Sequence, residues 1–155
     1  MKRLTPIFFS VAFILFWFVV IWIQIHDFTK FKSEMGNQVF PDDVSNILVY
    51  ALPLIEFLIA ILLVQSRTRK AGHLLTVMLM LGYSTYVGLA LLNVYSRMPC
   101  NCAGLLGHNS SWTSNFILNL CVTAVAGTGF IFTIKDQERR KHGMDTLVSH
   151  APSTR

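Results

Sequence analysis

The chain is short of charge. Only 14% of its 155 residues are Asp, Glu, Lys or Arg, where a soluble domain carries about a quarter. Another 53% are hydrophobic, and the mean hydropathy is +0.52. That balance excludes an ordinary soluble domain. Acidic residues are the scarcer sign, 8 against 13 basic ones, leaving a net charge of +5. The basic residues form no stripe on a polar fold. They fall in short clusters between long apolar runs, so membrane topology accounts for them and a nucleic-acid partner does not. Phosphate-binding glycine loops, HExxH pairs and nucleophile elbows are also missing, and nothing points to a hydrolase. No internal repeat or interdomain linker breaks the chain.

What is present is four apolar runs, about 7–25, 47–64, 74–95 and 114–134. Each approaches the roughly 20 residues that match a bilayer's hydrocarbon core. None alternates with the period of a barrel strand, so the expected fold class is an all-α membrane protein, a four-transmembrane-helix bundle. The first run follows Lys2 and Arg3, as a signal peptide would. It is longer than a signal's apolar region, and His26-Asp27-Phe28 follows it in place of a small-residue cleavage site, so it reads as an uncleaved span. Lys2 and Arg3, then Arg67, Arg69 and Lys70, then Lys135, Arg139, Arg140 and Lys141 all flank one side, while the other side holds only Lys30, Lys32 and Arg97. This bias predicts an N-in/C-in, multi-pass protein of the bacterial inner (cytoplasmic) membrane, with cytoplasmic termini and loops 30–41 and 96–113 facing outward.

One transmembrane domain, 1–135, is expected, followed by a polar cytoplasmic tail, 136–155, that extends the last helix and frays into disorder. Between the first two spans, Phe28, Phe31, Met35 and Val39 recur at three- and four-residue spacing. That suits a short amphipathic outer helix ended by Pro41. A loop whose aromatics pack on the spans fits the same spacing.

Cysteine is scarce too, with three in all, yet two stand together in Met98-Pro99-Cys100-Asn101-Cys102-Ala103-Gly104. On the outward side they would meet an oxidising compartment. Cysteines one residue apart close a small strained ring, the labile kind of disulfide suited to exchanging two electrons. One thiolate would attack and the other would resolve the mixed disulfide. A permanent structural clip and two unpaired thiols are the alternatives. With His108 the pair could offer three soft ligands to zinc or copper, but no fourth ligand is near and no metal is expected. Cys121, about 10 Å into span four, reads as a packing residue.

The second signal is Pro53 with Glu56 in the second span. Glu56 falls about 14 Å into that span, near the bilayer midplane, where an ionisable group faces the bundle interior and needs a partner. Span three reaches the same depth at 83–86, so Tyr83 or Tyr86 is the expected partner, with Ser84 and Thr85 beside them. The readings are a glutamate stitching two helices, a proton relay, or a polar anchor for a quinone, the one cofactor such a bundle would take. Asn119 reads as an interhelical hydrogen bond, and Gly82, Gly88, Gly127 and Gly129 as sites of close helix approach. Trp112 and Trp22 read as interfacial anchors, with Trp17 also in the outer half of span one.

The Pro53/Glu56 pair in the second of four spans, the outer CxC loop, and then Trp112 and Asn119 resemble the MauE family, the methylamine-utilisation membrane proteins of the broader DoxX-like group. The stretch 27–41 is similar to the family's segment between spans one and two, and the resemblance runs from span one to span four. The family loop reads close to Cys-Gly-Cys-Phe-Gly. Here Asn101 and Ala103 replace the glycine and phenylalanine, while Cys100, Cys102 and Gly104 remain. The resemblance implies periplasmic thiol–disulfide handling beside a thioredoxin-like or disulfide-containing partner, since the family member of the methylamine system is associated with maturing a disulfide-rich enzyme subunit. A non-catalytic membrane subunit or maturation chaperone, and a quinone- or solute-binding bundle centred on Glu56, are the competing functions. Beyond membrane lipid, assembly into an oligomer or larger complex is compatible with four small, glycine-bearing spans.

Overall fold

The computed structural model describes residues 5–95 and 111–149. Five helices follow one another: α1 Thr5–His26, α2 Phe28–Gly36, α3 Asp42–Val64, α4 Arg69–Leu91 and α5 Trp112–Ser149. Four of them, α1, α3, α4 and the Thr113–Arg139 part of α5, are long and apolar enough to cross a membrane. No strand occurs among the described residues. The fold is the all-α, four-span architecture expected, with a short helix between the first two spans.

Local chemistry sets the helix ends, and it moves several from where the apolar runs put them. Asp27 caps α2, its carboxylate accepting the Lys30 backbone N–H at 3.3 Å. α2 stops at Gly36, short of Pro41; the proline instead precedes α3 as its N-cap residue, and its carbonyl accepts from Ser45 N at 3.0 Å. Asp42 and Asp43 then occupy the first turn of α3, where acidic charge complements the helix dipole, so this span begins five residues earlier than hydropathy alone suggests. At the other end of α4, Asn93 adopts a positive φ of 53°. Its N–H bonds to Ala90 O at 3.1 Å, and Val94 N bonds to Leu89 O at 3.2 Å. These paired bonds end the helix at Leu91, not at 95, in a Schellman arrangement. Residues 136–149 continue α5 as helix.

α4 packs most extensively on α5, α1 on α3, and α3 on α4, while α1 also meets α5. The four long helices thus form a ring. α2 lies against α3, where Phe31 and Met35 are buried with Val49. The segment between spans one and two is therefore a helix whose apolar side packs on a span, with features of both sequence readings. Phe13, Trp17, Ile59, Leu63 and Met80 fill the centre. Large apolar side chains such as Phe8, Leu15, Tyr50, Leu54 and Met78 point outward, while Glu56, His73, Thr76, Ser84, Asn115 and Asn119 are buried. The buried polar groups are thus interspersed in a largely apolar core, and the outward faces of the spans are mainly apolar, as lipid demands.

Candidate functional site

Glu56 organises the interior. It lies on α3 three residues after Pro53, which sits inside the unbroken helix, and it is fully buried. Its Oε1 accepts from Tyr83 Oη at 2.9 Å and from Gln24 Nε2 at 3.2 Å. One carboxyl oxygen therefore ties α1, α3 and α4 together, while Oε2 is buried without a hydrogen-bond partner. Of the two tyrosines expected as partners, the structure joins Tyr83 to Glu56. Tyr86 is directed elsewhere, donating to the Oε1 of the buried Gln38 in the link after α2. Gln38 in turn donates from Nε2 to Glu34 O at 3.4 Å. Phe40 stacks on the Tyr86 ring, centroids 5.5 Å apart at 21°.

Between these groups lies a cavity of about 220 Å³. Met35 and Gln38 close it from the α2 side, Leu52 from α3, and Gly82, Tyr83 and Tyr86 from α4. It adjoins the Glu56 cluster through Tyr83, whose side chain both lines the cavity and bonds the carboxyl.

The remaining sequence-predicted residues divide. Asn119 is buried on α5, but its Nδ2 has no hydrogen-bond partner, so the expected interhelical bond from that amide nitrogen is not formed. Ser84 is buried and its Oγ is likewise unpartnered. Thr85 turns outward and bonds back to Leu81 O at 2.8 Å. Cys121 is a free thiol on the exposed face, not a packing residue: this position of α5 looks toward lipid. Trp17 is fully buried, its Nε1 donating to Thr76 Oγ1 at 3.3 Å, while Trp22 is exposed and stacks on His26. Trp112 opens α5. Cys100, Cys102, Gly104 and His108 lie outside the described residues.

The glycines correct a second expectation. A Cβ on Gly88 would stand 3.2 Å from the Phe116 ring, and one on Gly129 would stand 3.2 Å from both His73 Cε1 and Phe9 Cβ, so these two do mark close approaches. Gly82 and Gly127 have open space where a side chain would project. Among the described glycines the tightest is Gly72, which the hydropathy reading passed over: its Cβ would meet Leu63 Cγ at 2.9 Å and Leu63 N at 3.0 Å.

Sequence reasoning also missed His73. The third run was drawn from residue 74, which left His73 outside the span. In the structure it is fully buried one turn into α4, with Ser10 Oγ 3.1 Å from its Nε2. Ser10 spends its only proton on Pro6 O at 2.8 Å, so Nε2–H must donate to Ser10. Nδ1 is then the bare nitrogen, buried and without a hydrogen-bond partner. The missed signal is that the polar residues His73, Thr76 and Ser84 share one helical face with Met80 and Val87, recurring together at three and four residues as part of the buried face of α4.

A family model described as Methylamine utilisation protein MauE matches residues 2–132. No curated protein and no solved structure matches the chain.

Proposed function

The chain belongs to the MauE family of membrane proteins, and from that premise we propose that it handles thiol–disulfide exchange at the outer face of a bacterial inner membrane. The observation that carries this reading is the Cys100-Asn101-Cys102 pair in the stretch joining α4 to α5. In an antiparallel ring of spans, that stretch and α2 belong to one end of the bundle, and the basic clusters at 67–70 and 135–141 belong to the other. The charge bias supports a cytoplasmic location for the basic end and for both termini, which leaves the cysteine pair facing the oxidising side. One thiolate attacks a disulfide of a thioredoxin-like or disulfide-containing partner, and the second resolves the mixed disulfide, so the partner leaves as a dithiol and the pair becomes a disulfide; the reverse sequence balances equally. The reading concerns this chemistry and not methylamine as a substrate, since a fold and its loop are readily reused.

The test is the redox state of Cys100 and Cys102 in living cells, fixed by acid quenching and thiol alkylation before and after a pulse of reductant. A mixed population that shifts and then recovers is expected. C100S/C102S should stop redox cycling of the partner, and each single variant should trap it as a mixed disulfide. A pair that stays fully oxidised through the pulse overturns exchange and leaves a structural clip.

A further inference from the structure

The cavity between α2, α3 and α4 is a slot whose long axis runs with the helices. Leu79, Gly82, Tyr83 and Tyr86 line it from one stripe of α4, and Leu48 and Leu52 from one stripe of α3. From Leu79 to Tyr86 the helix rises about 10 Å. A volume of about 220 Å³ over that length leaves a mean section of roughly 22 Å², against roughly 80 Å² for a helix about 10 Å across. The slot therefore admits one extended alkyl chain and excludes a partner helix.

Its wall suits such a chain. The Tyr83 and Tyr86 hydroxyls give their protons to Glu56 and Gln38, and the Gln38 amide donates to Glu34 O. Rings and aliphatic side chains are what the slot offers an occupant. It also opens toward lipid at Gly82, which is exposed on α4 and where a Cβ would meet nothing within 4 Å. Gly82 stands about 14 Å from the end of the helix at Leu91, within the span. The end of the slot nearer Leu91, where Phe40 stacks on Tyr86, is bordered by charge of both signs. Asp42 and Asp43, exposed in the first turn of α3, follow Phe40 by two and three residues. Lys30 and Lys32 are exposed on α2, as is the carboxylate-bearing Glu34 in part, and Lys32 precedes the lining residue Met35 by about one turn. α2 packs beside Val49, about 10 Å from the start of α3, a depth from which lysines reach a head-group phosphate.

We propose that this slot holds one acyl chain of a zwitterionic phospholipid, whose phosphate meets Lys30 and Lys32 and whose ammonium meets Asp42 and Asp43. An anionic head group would set its charge beside those carboxylates with no ammonium to meet them. The inference rests on the cavity and its rim, not on thiol exchange at Cys100 and Cys102.

The test uses the full chain, stripped of lipid in dodecyl maltoside. It is titrated with a phosphatidylethanolamine carrying a diazirine on one acyl chain, irradiated, and mapped by mass spectrometry. Saturable labelling within 48–52 and 79–86 is expected, whereas lipid touching the protein surface at large labels in proportion to its concentration. Unlabelled phosphatidylethanolamine should compete at least about tenfold better than phosphatidylglycerol, roughly one decade in apparent Kd. Gly82→Trp, which fills the mouth, should weaken the labelling by a similar factor; Gly82→Leu is the smaller plug should the tryptophan variant not fold. Gly127→Leu adds a side chain at another open glycine, one that does not line the slot, and should label as the parent does. Labelling of those segments that never saturates, or that saturates equally in the parent and both Gly82 variants, overturns the site. Equal competition by the two lipids overturns the head-group match.

Discussion

At the scale of single residues, the arrangement around Glu56 sets a ranking of substitutions. Tyr83 and Gln24 both donate to Oε1, so removing the acceptor harms more than changing its charge. Glu56→Gln keeps a side-chain carbonyl for the two donors and should alter stability by about 1 kcal/mol or less. Glu56→Leu takes the Glu56 acceptor away from a part-buried phenol and a part-buried amide, each loss costing up to about 1–3 kcal/mol, and should lower the midpoint of thermal unfolding in detergent markedly. Equal midpoints for the two variants would show that the carboxyl does not tie the helices. Glu56 could be found from sequence because an acidic residue in an apolar run is conspicuous, and depth counting named Tyr83 as one of two partners. Gln24 and Gln38 could not be found that way. Gln24 lies near the end of α1 and Gln38 in the link after α2, where a polar residue is unremarkable, and only the packing of α1 and α2 on α3 brings them inward.

At the scale of elements, the α3–α4 hairpin depends on the absence of a side chain at Gly72. Thr68 Oγ1 bonds Leu62 O at 2.9 Å, closing the turn between the helices, and Gly72 then packs against the Leu63 side chain and backbone. Alanine there would meet backbone that cannot rotate away, and overpacking of this kind costs about 1–3 kcal/mol. Gly127→Ala meets open space and should gain up to about 1 kcal/mol from the better helix former. Thermal unfolding of the two variants in one detergent checks the contrast, and a Gly72→Ala protein as stable as the parent would mean the hairpin is looser than described. Glycine in a span announces close approach in general, but which glycine does so depends on rotation about the helix axis. The sequence reading chose four: Gly88 and Gly129 are at contacts, while Gly82 and Gly127 are not. Helix ends escaped hydropathy for a related reason. The Asn93 turn and the Asp42–Asp43 start are capping chemistry, which a hydrophobic window does not register.

At the scale of the whole molecule, the number of spans was plain in the sequence because lipid reverses the usual arrangement. The outward faces of α1, α3 and α4 carry Phe8, Leu15, Leu54, Phe57 and Met78, so long apolar runs report surface here, while the interior is marked by sparse polar residues that averages hide. Orientation comes from a different quantity, the placement of basic charge, and it makes a separate prediction. Arg67, Arg69 and Lys70 flank the α3–α4 turn, and Lys135 and Arg139 lie at the C-terminal end of the Thr113–Arg139 span of α5. Holding those charges in the cytoplasm forces α2 and the stretch 96–110 to the opposite side. Alkaline phosphatase fused after Asn37 should therefore be active, and the same enzyme fused after Arg155 should be inactive, by about tenfold or more, a ratio set by which side each junction reaches. Green fluorescent protein at the same two junctions should give the opposite pattern, bright only after Arg155. If the phosphatase is active at the C-terminal junction and silent after Asn37, the bundle is inverted. Cys100 and Cys102 would then face the reducing cytoplasm, and a labile disulfide between them would have no oxidising compartment to sustain it. The topology measurement thus bears on the exchange reading without touching either cysteine.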